Sequence, residues 1–251
     1  MKTHSRSTDH TLAEDIADSL RRDILRGKLL PGTPLKERDR AAELGVSRTP
    51  MREAIRILAK ERLVELRPSR SPLVAAPTMK EIADQVQVML TLEKLSAELA
   101  CANASDADIE AIRAINDRMA AIYDTADNLD LFEIDMSFHT AVARASHNEP
   151  LAETHRAFLA RLWRARYLAA SQRRNLERVM RHHNAILDAL AARDVEAVRA
   201  AIDAHLGQLT DDIRAAVDGE TEDRSAAGLR QRRNSSNRGP KSTRKPVPAD
   251  G

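Results

Sequence analysis

Apolar residues recur at helical spacing from the start of the chain. Leu12, Ile16, Leu20 and Ile24 fall at i, i+4 and predict a first helix that ends at Gly27 and the "LPG" turn. "KERDRAAEL", Lys36 to Leu44, predicts a second, short helix. Gly45 then leads to Ser47, whose side chain can cap a third helix with Pro50 in its first turn. In that third helix Met51, Ile55 and Leu58 form an apolar face, beside which Arg48, Arg52 and Arg56 run at four-residue spacing. Two short apolar runs, "LVEL" and "PLVAAP", joined by "RPSRS", predict a small β-hairpin. From Thr78 the pattern changes to long amphipathic helices, near 79–103, 106–125, 129–146, 150–170, 174–192 and 194–216. The expected organisation is a leader over 1–9, a domain of three helices and a hairpin over 10–77, an all-α antiparallel bundle over 78–218, and a tail over 219–251.

Composition agrees with a mostly α protein: eight Gly, ten Pro and 2% aromatics in 251 residues, 42% of them hydrophobic. No apolar run has the length of a membrane span and the first residues lack the apolar stretch of a signal peptide, so a cytoplasmic protein without a membrane partner is expected. The single cysteine, Cys101, lies on an apolar helical pattern and reads as a buried thiol. The net charge of +2 conceals a basic stretch from Arg224 to Lys245 with no acid, which predicts a disordered tail, either merely solvated or in weak contact with nucleic acid.

A tight Gly turn between two short helices, followed by a hairpin, is the arrangement that places a helix in the DNA major groove. Arginine suits such a helix, because its planar fork takes guanine O6 and N7 together or clamps a phosphate. "LPGTPLKERDRAAELGVSRTPMREAIRILAKERLVELRPSRSPLVAAP" resembles the winged helix-turn-helix of the GntR family of bacterial transcription regulators, continuously from about Leu12 to Pro77. The resemblance implies DNA contacts by Arg38, Ser47, Arg48, Thr49 and Arg52, and by Arg70 in the wing; Arg56 is expected to touch phosphate or solvent. Two positions depart from the family pattern. Arg62 stands where Gly is usual before "LVEL", and the wing tip has Ser71 and Pro72 in place of Gly, which predicts a tip without the freedom of positive φ.

In the second domain four polar residues sit on apolar stripes. Asp135 and His139 are one turn apart beside Leu131, Phe138 and Val142; His183 aligns with Ile186, Leu187 and Leu190; His205 aligns with Ile202, Leu206 and Leu209. Such groups need partners when buried. An Asp and three imidazoles can converge on a divalent Zn, Ni or Mn ion, or form a metal-free hydrogen-bonded cluster. His182 is expected to point outward, and His147 and His155 to lie at or beyond a helix break, away from any metal.

"LEKLSAELA", "DMSFHTAVARASHNEPL", "HHNAILDAL" and "DVEAVRAAIDAHL" are similar to the FadR-like subfamily, whose C-terminal ligand-binding domain is called FCD. The resemblance implies that Asp135, His139, His183 and His205 surround a metal at the floor of an effector pocket. Many members carry Arg where this chain has Met89, four residues before Glu93, so Arg161, Arg164 or Arg166 is expected to hold a carboxylate effector, or the ligand is less acidic or larger. The expected function is a metal-dependent, effector-responsive repressor acting as a homodimer on an inverted-repeat operator in double-stranded DNA. The alternative is a metal-dependent hydrolase using the same Asp/His site; no placed general base, nucleophile motif or phosphate loop supports it.

Overall fold

The computed structural model describes residues 11–172 and 175–221. The leader over 1–9 and nearly all of the basic tail lie outside them. The described residues form α1 (Leu12–Leu25), α2 (Glu37–Glu43), α3 (Arg48–Lys60), β1 (Val64–Glu65), β2 (Leu73–Val74), α4 (Met79–Asn103), α5 (Asp106–Ile122), α6 (Asn128–Ala145), α7 (Glu149–Gln172), α8 (Leu176–Ala192) and α9 (Val195–Leu206). Residues 209–221 are again helical. The helix expected over 194–216 is therefore broken at Gly207 and Gln208, where glycine is a poor helix former.

In the N-terminal part, Ile16, Leu20, Ile24, Leu35, Met51, Ile55, Leu58 and Val74 close one core. The hairpin is antiparallel, with Val64 opposite Val74 and Glu65 opposite Leu73. Alternation puts Val64 in the core and Glu65 in solvent. Ser47 does occupy the N-cap of α3, but its side chain makes no capping bond. The stronger caps are reciprocal boxes at Thr11 with Glu14, Thr78 with Glu81 and Ser105 with Asp108.

Two strained positions are informative. Arg62 lies just past the C-cap of α3 with φ +61°, the left-handed conformation that glycine adopts without cost. At the wing, positive φ is present after all, at Ser69 (φ +56°). Arg67 braces that tip by donating through Nε and Nη2 to the Ser71 carbonyl at 3.0 and 2.7 Å.

In the C-terminal part, α4 is the axial helix, packed by α6, α7, α8 and α9. Ala97, Ala100, Cys101, Phe138, Ile186, Leu187, Leu190, Val198 and Ile202 form the central core. Cys101 is buried, as expected of a structural thiol. Burying a side chain such as Phe138 contributes roughly 2–3 kcal/mol.

α1 also joins the two parts. Leu25 is buried among Ile82, Val86, Leu129 and Leu162. Arg22 pairs with Asp130 at 2.6 Å and Glu133 at 2.8 Å, and Arg26 with Asp127 at 2.7 Å. All three acids stand at or near the N-terminal half of α6, the helix that also carries Asp135 and His139.

Candidate functional site

On α3, burial of Met51, Ala54, Ile55 and Leu58 leaves Arg48, Thr49, Arg52 and Arg56 on the exposed side. Arg52 reaches back to Glu37 of α2, with Nε and Nη2 both 3.2 Å from its Oε2, while Arg56 is tied to Glu53 at 2.6 Å. Arg38 is highly exposed, and its Nε comes within 3.5 Å of Asp39. Ser47 and Arg70 are exposed as well. The residues expected to read DNA are thus all exposed, on α2, α3 and the wing.

The second cluster is buried. α6 presents His139, α8 His183 and α9 His205, and ligand nitrogens of the three lie within 4.8 Å of one another. His139 Nε2 and His205 Nε2 are 3.3 Å apart, and His183 Nε2 is 3.2 Å from Asp135 Oδ1. The His183 ring lies flat against Phe138, with centroids 3.9 Å apart. Its Nδ1 donates to Asn116 Oδ1 at 3.1 Å, and Asn116 Nδ2 donates to Asn184 Oδ1 at 2.9 Å. That chain keeps the His183 proton on Nδ1 and aims the Nε2 lone pair at the cluster.

Glu93 does the same for His139. Its Oε1 is 3.0 Å from His139 Nδ1, 3.3 Å from His155 Nε2 and 3.8 Å from Arg166 Nη1, all four residues being buried. These contacts are close but poorly directed, so both Glu93 oxygens and both His155 nitrogens lack an aligned hydrogen bond. Arg166 Nη2 donates to His139 Nε2 at 3.0 Å.

Electrostatics keep the donor atoms in ligating form. Burial pushes His139 and His205 below the ordinary imidazole range, His205 strongly, which favours neutral rings. Burial works to raise the Glu93 and Asp135 carboxyls, but Glu93 is overridden by His139 and His155, and Asp135 by His183, His139 and Arg166; both end below the usual carboxylate range.

A divalent ion fits this donor set. Asp135 Oδ1 and His183 Nε2 are buried without an aligned hydrogen-bond partner, and three imidazole nitrogens with one carboxylate oxygen suit Zn, Ni or Mn.

Beside the cluster is a cavity of about 140 Å³ whose walls include Asp135, Arg166, Arg178, His205, Phe132 and Leu209. Of the three arginines considered from the sequence, only Arg166 lines it. Arg164 is bound to Glu220 at 2.7 Å and Arg161 stacks over Phe158 at 4.5 Å. Met89 is fully buried in the core with Val86 and Phe132.

Other expectations are corrected too. His155 lies well inside α7, which begins at Glu149, and is fully buried. His182 is half-buried. His147, in contrast, sits at the break before α7 with φ +52° and pairs with Asp108 at 2.9 Å. Glu93 and Asn116 were missed. Their signal was an acid and an amide on otherwise apolar stripes, Glu93 in line with Met89 and Ala97, and Asn116 with Ile109, Ile112 and Met119.

Residues 12–74 match the model of "Bacterial regulatory proteins, gntR family", and residues 84–208 match the FCD domain. The "Probable D-xylose utilization operon transcriptional repressor" of Paenarthrobacter nicotinovorans is 30% identical over 204 residues, 81% of this chain and 89% of that one. The chain belongs to the GntR family. It is a transcription regulator with an FCD domain, and its relatives are regulators rather than enzymes, which sets aside the hydrolase alternative. The "HTH-type transcriptional repressor RspR" of Escherichia coli K12 is 28% identical to this GntR regulator over 195 residues, 78% of this chain and 86% of that one. A GntR regulator structure from Rhodococcus sp. RHA1 superposes with a TM-score of 0.64 at 26% identity, covering 81% of this chain and 98% of that one. E. coli McbR/YncC shares the fold, with a TM-score of 0.66 at 20% identity over 85% of this chain and 100% of that one. No described helix is long and apolar enough to cross a membrane.

Proposed function

We propose that this regulator is a homodimeric repressor that holds an inverted-repeat operator through α3 and releases or tightens it when a carboxylate binds beside a divalent metal. The observation that carries the reading is the convergence of His139, His183, His205 and Asp135 beside a small cavity whose walls include Asp135 and His205 together with Arg166 and Arg178. Asp135, His139, His183 and His205 would hold the metal, with Glu93 and Asn116 orienting two of the rings. The metal would supply a Lewis-acidic position for a carboxylate oxygen. Arg166 and Arg178 would neutralise the ligand's charge, and Phe132 and Leu209 would cover its apolar part.

On DNA, Arg48 and Arg52 would enter the major groove with Ser47, Thr49 and Arg38 near the backbone and base edges, and Arg70 would reach outward from the wing. Glu37 presets the Arg52 fork before contact. Repression is read from two relatives that are named as repressors, RspR and the D-xylose operon regulator.

The dimer is supported by α4. Val88, Leu92, Leu95, Leu99 and Ala102 alternate at four- and three-residue spacing, and Val88 and Leu95 are each 42% exposed. That spacing forms a helix–helix seam.

Coupling would run along α6. Its middle carries Asp135 and His139, while its beginning holds α1 through Arg22 and Arg26. An effector that favours this placement of α1 over another would shift DNA affinity by the difference in its binding to the two.

The test is selection of binding sites from genomic fragments, followed by titration at several salt concentrations. The reading expects an inverted repeat with half-sites about one helical turn apart and a steep loss of affinity with salt. Equal binding to competitor DNA at moderate salt would refute it.

A further inference from the structure

Arg166 stands between the metal ligands and the cavity. It comes from α7, on the buried stripe of Leu159, Leu162 and Ala169. Its Nη2 donates to His139 Nε2 at 3.0 Å, its Nη1 is 3.8 Å from Glu93 Oε1 with no aligned acceptor, and the residue is only 5% exposed. It also lines the cavity with Asp135 and His205.

His139 has one in-plane lone pair to give. A guanidinium only donates, so Nε2 is the acceptor and the neutral ring's proton is on Nδ1, which faces Glu93 at 3.0 Å. That lone pair can accept the Arg166 hydrogen bond or coordinate a cation, but not both. A guanidinium at hydrogen-bond distance from a ligand atom also repels a dication.

We infer that Arg166 and the metal are alternative partners of His139 Nε2, and that metal binding releases the Arg166 fork to the cavity it already lines, making it the anion-binding group there. The inference rests on the metal-site reading above. It makes Arg166 a specificity residue for two ligands with opposite signs: it weakens the metal and strengthens the carboxylate. The two ligands are then positively coupled, because the metal frees the group that the carboxylate uses.

The experiment is a zinc competition titration against a chromophoric chelator on the full chain, comparing wild type, Arg166→Met and Arg164→Met. Arg166→Met is expected to bind zinc about tenfold tighter or more, since zinc no longer has to displace a hydrogen bond from a charged donor. Arg164→Met, which loses only the Glu220 pair, is expected to match wild type. Unchanged or weaker zinc binding in Arg166→Met would overturn the inference while leaving the metal site intact. No zinc binding in any of the three proteins would defeat the metal-site reading itself.

A second measurement needs no variant and covers misfolding of Arg166→Met. Guanidinium ¹⁵N resonances of wild type are followed through a zinc titration. The slow-exchanging Arg166 signal is expected to lose protection as the His139 ring signals move, and an Arg166 signal that stays protected in zinc-loaded protein would contradict the exchange of partners.

Discussion

Replacing Glu93 with Gln keeps the side-chain volume and removes one buried charge, so the consequence is electrostatic rather than a cavity. Glu93 is 1% exposed and faces His139 at 3.0 Å, His155 at 3.3 Å and Arg166 at 3.8 Å. At 3.8 Å and an effective dielectric of about 20, the Arg166 interaction alone amounts to about 4 kcal/mol. Removing one partner of a buried pair costs about 3–5 kcal/mol, because the other charge stays buried without compensation. The same change frees the His139 proton from Nδ1. A ring that moves its proton to Nε2 has no lone pair for a metal, and loss of such an orienting partner lowers metal affinity about 10–100-fold. Urea unfolding near neutral pH with chelator present measures the first effect, and zinc competition on folded protein measures the second. A stability loss below about 1 kcal/mol together with unchanged zinc affinity would refute the role assigned to Glu93.

Three further outcomes follow from the same geometry. Burial lowers His139 and His205 below their ordinary 6.5, so below that pH the unfolded chain binds protons that the folded chain refuses. Metal-free protein should therefore be fully stable above about pH 7 and lose up to about 2.7 kcal/mol per pH unit below it; a flat urea midpoint from pH 7.5 to 5.5 would contradict this. Arg62→Gly, which relieves a left-handed residue at φ +61°, should stabilise the protein by about 0.5–1 kcal/mol in thermal unfolding, and a lower midpoint would show that the arginine side chain outweighs the strain. Arg52→Ala should reduce both affinity and discrimination among operator variants by about 1–3 kcal/mol, whereas Arg56→Ala should at most weaken binding to all sequences alike; equal loss of discrimination in both would remove the distinction.

The elements were legible because each rests on a local rule. Thr78 with Glu81 and Ser105 with Asp108 are capping boxes that can be read three residues apart, and Met51, Ile55 and Leu58 mark the buried side of α3. The Asp135, His139, His183 and His205 set was legible for a similar reason, since each polar residue interrupts an apolar stripe.

What lay outside the sequence depends on which helices meet. Glu93 acts on His139, forty-six positions later, only because α4 packs on α6. Arg161, Arg164 and Arg166 look equivalent by spacing, and rotation about α7 alone separates the one that lines the cavity from the two bound to Phe158 and Glu220. His155 seemed to lie at a break because the turn before it is short; the helix begins at Glu149 and carries His155 into the core. The wing tip misled for another reason: Ser69 adopts the positive φ that glycine usually supplies, and Arg67 holds it there through the Ser71 carbonyl.

The central claim is that the three imidazoles and Asp135 form a metal centre that serves the regulator's effector. Elemental analysis of protein purified without chelator tests it most directly, on wild type and on Asp135→Ala combined with His205→Ala. The account predicts close to one Zn, Ni or Mn ion per wild-type chain and loss of that ion in the double variant. A folded wild type that takes up none of these metals, or a double variant with the same metal content as wild type, would contradict it.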